Sequence, residues 1–431
     1  MSALASYAPA AFLLCVCHLL LTPTIAVAQA NAWIATWATS PQSTNPSPTL
    51  PMFNIENQTV RERVRVSIGG DQIRIRLSNE YGSVPLLLGA VTVASPMDVA
   101  GVNPDTIHSV TFSGRNSITI PPGAPILSDP IAFPVDRGAE ISVSIYFPRR
   151  VTSPTIHALA LKRAIISLPG DQTHAQKIDE GATSKSSILI SAVLVPRQPS
   201  PHLVVAFGDS IVDGDQSTVD ADRNWPSDLV RRLLSSSSRT STVAVVNEGL
   251  AGNRLLTSDD GVSARIGLRA GFGASGLARF DRDVLGLPGV THIVLVEGIN
   301  DINFPGAKID GQYLADPADV RTAEDLIEAY LQLISRAHVH GIKMIGSTIT
   351  PCEEVDLPGY YSESKEAVRQ TVNQWIRTSG AFDGVIDFDA VLRDPDHPSR
   401  LLPRFAASDH LHPNDLGYQA MADAIDLALL Q

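Results

Sequence analysis

The stretch Leu203–Gly214, LVVAFGDSIVDG, constrains this chain more than any other. Its apolar run ends abruptly in Gly208-Asp209-Ser210. An apolar run of that length, cut off by a glycine turn, reads as a buried parallel strand entering a loop. Open α/β sheets place their chemistry at the carboxyl ends of such strands. The residue delivered to that edge is a serine. A Gly-Asp-Ser turn alone carries little information, so its meaning depends on what the rest of the chain sets opposite it.

A chain of 431 residues exceeds one small core, and two domains are expected. Hydrophobic and charged contents of 44% and 18% describe a folded protein rather than a disordered one. The formal net charge of −12 supplies no basic stripe for phosphates, so nucleic acid is excluded as a partner. At the amino terminus, the short apolar run Ala10–Leu21 precedes Ala26-Val27-Ala28, a small-x-small cleavage pattern. Residues 1–28 read as a secretory signal peptide, which implies a secreted or periplasmic protein. The competing reading is a membrane anchor, but the run is short for a span and Pro23 follows it. No later stretch is long and apolar enough to span a membrane, so stable insertion is not expected. Removal of Cys15 and Cys17 with the leader leaves Cys352 alone, a buried small hydrophobe by expectation.

Residues 31–51 read as an extended lead-in with Trp33 and Trp37 as packing anchors. Alternation follows: Val64–Ile68 and Ile73–Leu77 each place every second residue on one face, with Gly69-Gly70-Asp71 between them. Pattern and turn chemistry predict a β-hairpin. Its arginines, Arg61, Arg63, Arg65, Arg74 and Arg76, would share one face, either as a ligand surface or paired with carboxylates. Alternation returns in Ile118–Ile120 and Ile141–Ile145, and residues 31–197 are expected to form an all-β sandwich. The proline-rich segment 194–202, LVPRQPSPH, marks a domain boundary.

Over residues 202–431 the rhythm becomes strand–helix alternation. Strands are expected at Leu203–Phe207, Thr242–Val246, Ile293–Val296, Ile342–Ile349 and Val385–Phe388. Helices are expected from Trp225, from a cap at Thr322, from Ser362, and from Asn414 to the carboxyl terminus. Short apolar strands with helices between them imply a parallel sheet with right-handed crossovers.

A serine hydroxyl becomes a useful nucleophile only with a base, a group orienting that base, and donors for the oxyanion. His412 is the candidate base, in Ser408-Asp409-His410-Leu411-His412-Pro413. Asp409, three residues earlier, can reach Nδ1 and leave Nε2 free for Ser210, while His410, the rival base, is expected to point elsewhere. Oxyanion donors are available at Gly252, in the loop after the second strand, and at the Asn300 amide, after the third. The Ser210 N–H adds another. Asp213, Asp215 and Asp220 lack the spacing of a calcium loop, so no metal and no cofactor are expected.

Gly-Asp-Ser, then Gly252, then Gly298-Ile299-Asn300-Asp301, then Asp-x-x-His before the last helix resembles the SGNH hydrolase superfamily, the GDSL esterases and lipases. Ile211 stands where the name motif has leucine. The run Ser67–Asp71 with Ser78-Asn79-Glu80-Tyr81-Gly82 is similar to the front half of two-domain bacterial members. The resemblance covers residues 202–431 and implies a flavodoxin-like three-layer α/β/α catalytic domain behind the sandwich. It implies Ser210 as nucleophile, His412 as base then acid, Asp409 as its orienting group, and Ser210, Gly252 and Asn300 as oxyanion donors. The expected activity is hydrolysis of short-chain esters, acetyl esters first, on a small molecule or polysaccharide, at a shallow site. A general carboxylesterase, lipase or arylesterase is the nearest alternative. A carbohydrate-binding protein with a vestigial catalytic half is the alternative of another class.

Overall fold

The structure is a computed structural model that describes residues 33–45, 53–197, 201–235 and 242–431. The expected leader, the end of the lead-in and the middle of the boundary segment lie outside the described residues. Trp33–Gln431 forms one compact unit, with a β-rich amino-terminal region and a mixed α/β carboxyl-terminal region.

In the β-rich region one antiparallel sheet runs Trp33–Ala38, Ile190–Pro196, Arg74–Asn79, Ala124–Leu127. A second runs Glu180–Ser184, Ala164–Pro169, Gln58–Arg65, Glu140–Phe147, Ala90–Ala94, His108–Ser109. The lead-in is therefore a paired strand: Trp33 to Ala38 align antiparallel with Pro196 to Ala192. The expected hairpin does not form. Gln58–Arg65 lies in the six-stranded sheet and Arg74–Asn79 in the four-stranded one. The chain crosses between them near Ser67–Gly70, where Ile68 N–H donates to Thr36 Oγ1 and Gly70 N–H to the Val135 carbonyl. A period of two gives each strand one apolar face. Two such faces can meet across a core as readily as two edges can pair, and the pattern does not distinguish them.

The arginines divide accordingly. Arg61 is buried, donating to the Ala100 and Ala175 carbonyls and to Ser144. Arg63 and Arg65 pair with Asp220 and Asp222 of the α/β region. Arg74 lies over the Trp33 ring and Arg76 faces Glu80. The five do not share one face.

The α/β region is a five-stranded parallel sheet ordered Val243–Gly249, His202–Gly208, Val290–Val296, Lys343–Ser347, Gly384–Ile386. His202–Gly208 lies inside the sheet, between Val243–Gly249 and Val290–Val296, and is buried from Leu203 onward, as its uninterrupted apolar run requires. Numbered along the chain the order is two-one-three-four-five, so connections leave in opposite directions between the first and third strands. Such a switch point opens a crevice at the strand ends. Helices form where the sequence places them: Trp225–Ser235, Ala323–Val339, with a Thr322–Asp325 capping box, and Glu363–Thr378, capped by Ser362. The last helix, capped by Asn414, ends at Ala424 rather than at the terminus. Ile425 is extended, and Asp426 caps a final turn, Leu427–Leu430.

The two regions are joined by direct bonds. Ala35 N–H donates to the Pro288 carbonyl, Val245 N–H to Ser67 Oγ, and Ser40 Oγ to Glu248 Oε2. No helix among the described residues is long and apolar enough to cross a membrane.

Candidate active site

Ser210 stands just past the end of the strand His202–Gly208. Gly208 has no room for a side chain, since a Cβ would lie 1.9 Å from the Val296 carbonyl oxygen. The strands thus approach closely just before the serine. Asp209 caps the turn, its Oδ1 accepting Ile211 N–H at 2.9 Å, and Ser210 opens a one-turn helix, Ser210–Asp213. Asp209 is buried, which pushes its carboxyl up to about 7 despite that bond.

The loop before the last helix meets this turn from the other side. His412 Nε2 lies 2.7 Å from Ser210 Oγ, and His412 Nδ1 lies 2.7 Å from Asp409 Oδ2. Asp409 Oδ1 accepts the N–H groups of Leu411 and His412, both at 3.0 Å. Burial would raise the Asp409 carboxyl, but the His412 hydrogen bond and charge and these two N–H groups outweigh it and hold it down to about 2. For His412 burial favours the neutral ring. The Asp409 bond and the charges of Asp215, Asp409 and Asp209 overcome this and raise its pKa. His410 takes a left-handed conformation, φ 56°, and turns to Glu354, with Nδ1 3.6 Å from Oε2. It contributes nothing to the serine.

The loops after the second and third strands are tied together. Asn300 Nδ2 donates to the Asn253 carbonyl at 2.9 Å, while Asn300 Oδ1 accepts from Tyr360 Oη at 2.9 Å. The Asn253 carbonyl, which can only accept, sets which end of the amide is nitrogen, and the tyrosine hydroxyl then donates to the other. One Nδ2 hydrogen is used on Asn253, and the amide carries a second. Asp301 accepts Leu255 and Leu256 N–H groups, linking the same two loops. Gly252 has φ 75°, a conformation that disfavours any side chain, and a Cβ would meet the Phe272 ring at 2.1 Å. The second strand runs to Gly249, so the loop starts at Leu250, three residues later than the expected strand end at Val246 implies.

Arg279 was not anticipated. Fully buried, it donates to the Gly208 and Glu248 carbonyls at 2.7 and 2.8 Å, to Asn253 Oδ1 at 2.8 Å and to Ser40 Oγ at 3.0 Å. It gathers the ends of the first two strands beneath the serine turn. No local motif marks it, because these four partners lie 26 to 239 positions away in sequence. Tyr360 was missed for the same reason.

The acidic residues after the serine have other partners. Asp213 bonds His157, and Asp220 pairs with Arg63 and Arg163. Among the described residues no group of three His, Cys, Asp or Glu side chains could hold a metal ion. Cys352 is buried, which pushes its thiol up to about 12. Ser210 and His412 are only 6% and 8% exposed, a more enclosed position than open Gly/Asn loops imply.

Residues 204–425 match the model of the GDSL-like lipase/acylhydrolase family. The chain belongs to that family. It is accordingly an ester-cleaving hydrolase. No curated protein matches the chain. Similar solved structures include a member of the lipolytic G-D-S-L family from Veillonella parvula, 21% identical with TM-score 0.33, covering 52% of this chain and 95% of that one. The aryl esterase of M. smegmatis is 15% identical with TM-score 0.37, at the same coverages of 52% and 95%. A carbohydrate acetylesterase from Sinorhizobium meliloti is 14% identical with TM-score 0.36, again over 52% and 95%.

Proposed function

We propose that this GDSL-family hydrolase is a serine esterase acting through Ser210, His412 and Asp409. The observation that carries the reading is the unbroken relay from Asp409 Oδ2 to His412 Nδ1 and from His412 Nε2 to Ser210 Oγ, both steps 2.7 Å. Ser210 Oγ adds to the ester carbonyl as its proton passes to His412 Nε2, and the carbonyl electrons move onto oxygen. The N–H groups of Ser210 and Gly252 and the second Asn300 Nδ2 hydrogen receive that oxyanion. Collapse expels the alcohol, which takes the proton from Nε2. Water, deprotonated by the same nitrogen, then releases the acid and restores the serine. Asp409, held ionised, orients the ring and opposes the charge it gains.

The substrate we assign is a short acyl ester, acetyl first, on a carbohydrate. The low exposure of Ser210 and His412 supports a small acyl group. We read the α/β region as a flavodoxin-like three-layer domain, which the two-one-three-four-five strand order supports, behind a β-sandwich. We place the mature protein outside the cytoplasm, following removal of residues 1–28, on the leader pattern alone.

The test is hydrolysis of p-nitrophenyl acetate, butyrate and octanoate, and of acetylated xylan. Ser210→Ala and His412→Ala should each lose at least about a thousandfold in kcat, and His410→Ala less than about threefold. A serine-directed organophosphate should label Ser210 alone. Turnover surviving Ser210→Ala would overturn the reading, and octanoate hydrolysed faster than acetate would overturn the acyl assignment.

A further inference from the structure

The β-rich region sends one histidine to the back of the catalytic turn. His157 ends the short strand Ile156–His157, paired with Ser187–Ile188. Its Nε2 lies 2.9 Å from Asp213 Oδ1 and its Nδ1 3.0 Å from the Ser40 carbonyl oxygen. Both side chains are buried, at 5% and 3% exposure. Nδ1 faces a carbonyl and carries a hydrogen, and a proton is shared between Nε2 and the Asp213 carboxyl, whose own pKa burial raises; on Nε2 that proton makes the ring a cation. Burial opposes that charge, as does Arg279, but Asp213 and the Ser40 carbonyl prevail.

Asp213 is the last residue of the one-turn helix that Ser210 opens. Its second oxygen, Oδ2, accepts Ala251 N–H at 3.0 Å. The peptide after Ala251 carries the Gly252 N–H. The same turn is held by Leu250 N–H on the Gly208 carbonyl and by Asn253 N–H on the Leu250 carbonyl, both at 3.0 Å. One carboxylate therefore spans the serine turn, the Gly252 loop and the β-rich region.

We propose that His157 is a positioning residue of the esterase reaction, holding Asp213 so that the Ala251–Gly252 peptide is aimed at the oxyanion. This rests on the reading of Ser210 and Gly252 given above. Without His157, Asp213 Oδ1 is a buried oxygen lacking its donor, so the carboxylate turns to find another and releases Ala251 N–H. The Gly252 N–H then shifts relative to Ser210. Hydrogen-bond donation to an oxyanion depends steeply on position, and loss of one donor costs about 100- to 1000-fold. A displaced donor costs less, about 10- to 100-fold. The cost falls on the tetrahedral state and not on ester binding, so kcat moves and KM does not.

The experiment compares His157→Ala, Asp213→Ala and Asp213→Asn in the full chain. Organophosphate titration counts competent sites, so that kcat is expressed per titrated serine and partial misfolding drops out. His157→Ala and Asp213→Ala should lower kcat on p-nitrophenyl acetate about 10- to 100-fold with KM within about twofold. Phenylboronic acid, which adds to a serine hydroxyl as a tetrahedral mimic, should weaken by a comparable factor. Asp213→Asn should recover at least about tenfold over Asp213→Ala. Its oxygen can accept Ala251 N–H while its NH2 donates to the Nε2 of a neutral His157, whose Nδ1–H keeps Ser40. His157→Ala with kcat per site within twofold of the parent, or Asp213→Asn no better than Asp213→Ala, overturns the proposal. If His157→Ala does not fold, the Asp213 pair decides alone. Ser210→Ala separates the two readings: full activity there removes the nucleophile, whereas a dead Ser210→Ala beside an unimpaired His157→Ala removes only this inference.

Discussion

Replacing Asp409 with asparagine should damage the enzyme more than replacing it with alanine. Asp409 Oδ1 accepts two backbone N–H groups, at 3.0 Å each, so in Asp409→Asn that end of the amide must stay oxygen. The NH2 then replaces Oδ2, 2.7 Å from His412 Nδ1. Facing a donor, Nδ1 gives up its hydrogen, and the ring carries it on Nε2 toward Ser210. That tautomer cannot take the serine's proton. Restoring the productive one means turning the amide, with two backbone hydrogen bonds lost at about 1 kcal/mol each and two N–H groups left facing an NH2, about 3 kcal/mol together. Loss of the anion opposite the forming imidazolium adds about 2 kcal/mol. About 5 kcal/mol corresponds to a fall in kcat of between a thousandfold and ten-thousandfold. Asp409→Ala removes the anion without imposing a tautomer, so about thirtyfold is expected. The assay is kcat on p-nitrophenyl acetate across pH. In the parent, kcat falls as pH drops through the His412 pKa, because the base must be neutral. Since Asp409 helps raise that pKa against burial, the acid limb of Asp409→Ala should move to lower pH. Asparagine retaining more activity than alanine would refute the tautomer argument.

Two other perturbations test the surroundings. Burial pushes the Glu62 carboxyl from 4.5 up to about 8, over the opposing bonds from Ile188 N–H and the Ser187 hydroxyl. A raised carboxyl pKa stabilises the fold fully below pH 4.5 and loses that contribution as pH rises toward 8, on the order of 1 kcal/mol per pH unit. Glu62→Gln should therefore flatten the melting temperature between pH 5 and 8 and exceed the parent at pH 8; parallel curves would sink this. Gly252→Ala must place a Cβ 2.1 Å from the Phe272 ring at φ 75°, so it should lower stability by about 2 kcal/mol or more and kcat by at least about tenfold. Unchanged kcat would remove Gly252 from the oxyanion site.

The sequence alone determined the α/β region closely, because its signals are local. An apolar run stopped by glycine specifies a buried strand, and Thr322, Ser362 and Asn414 cap helices through bonds to residues two or three positions on. Asp409 and His412 were legible for the same reason: three residues of one loop suffice to join a carboxylate to Nδ1. Position at successive strand ends brought Ser210, Gly252 and Asn300 into one list, since parallel strands place all their carboxyl ends on one edge. The tertiary structure decided what depends on partners far along the chain. It moved Arg74–Asn79 into a different sheet from Gln58–Arg65, a choice that alternation leaves open. It alone assembled Arg279 with Gly208, Glu248 and Ser40, and His157 with Asp213 and, through it, Ala251. A buried charge must find acceptors wherever the fold provides them, and carbonyl acceptors carry no side-chain signature for the sequence to display.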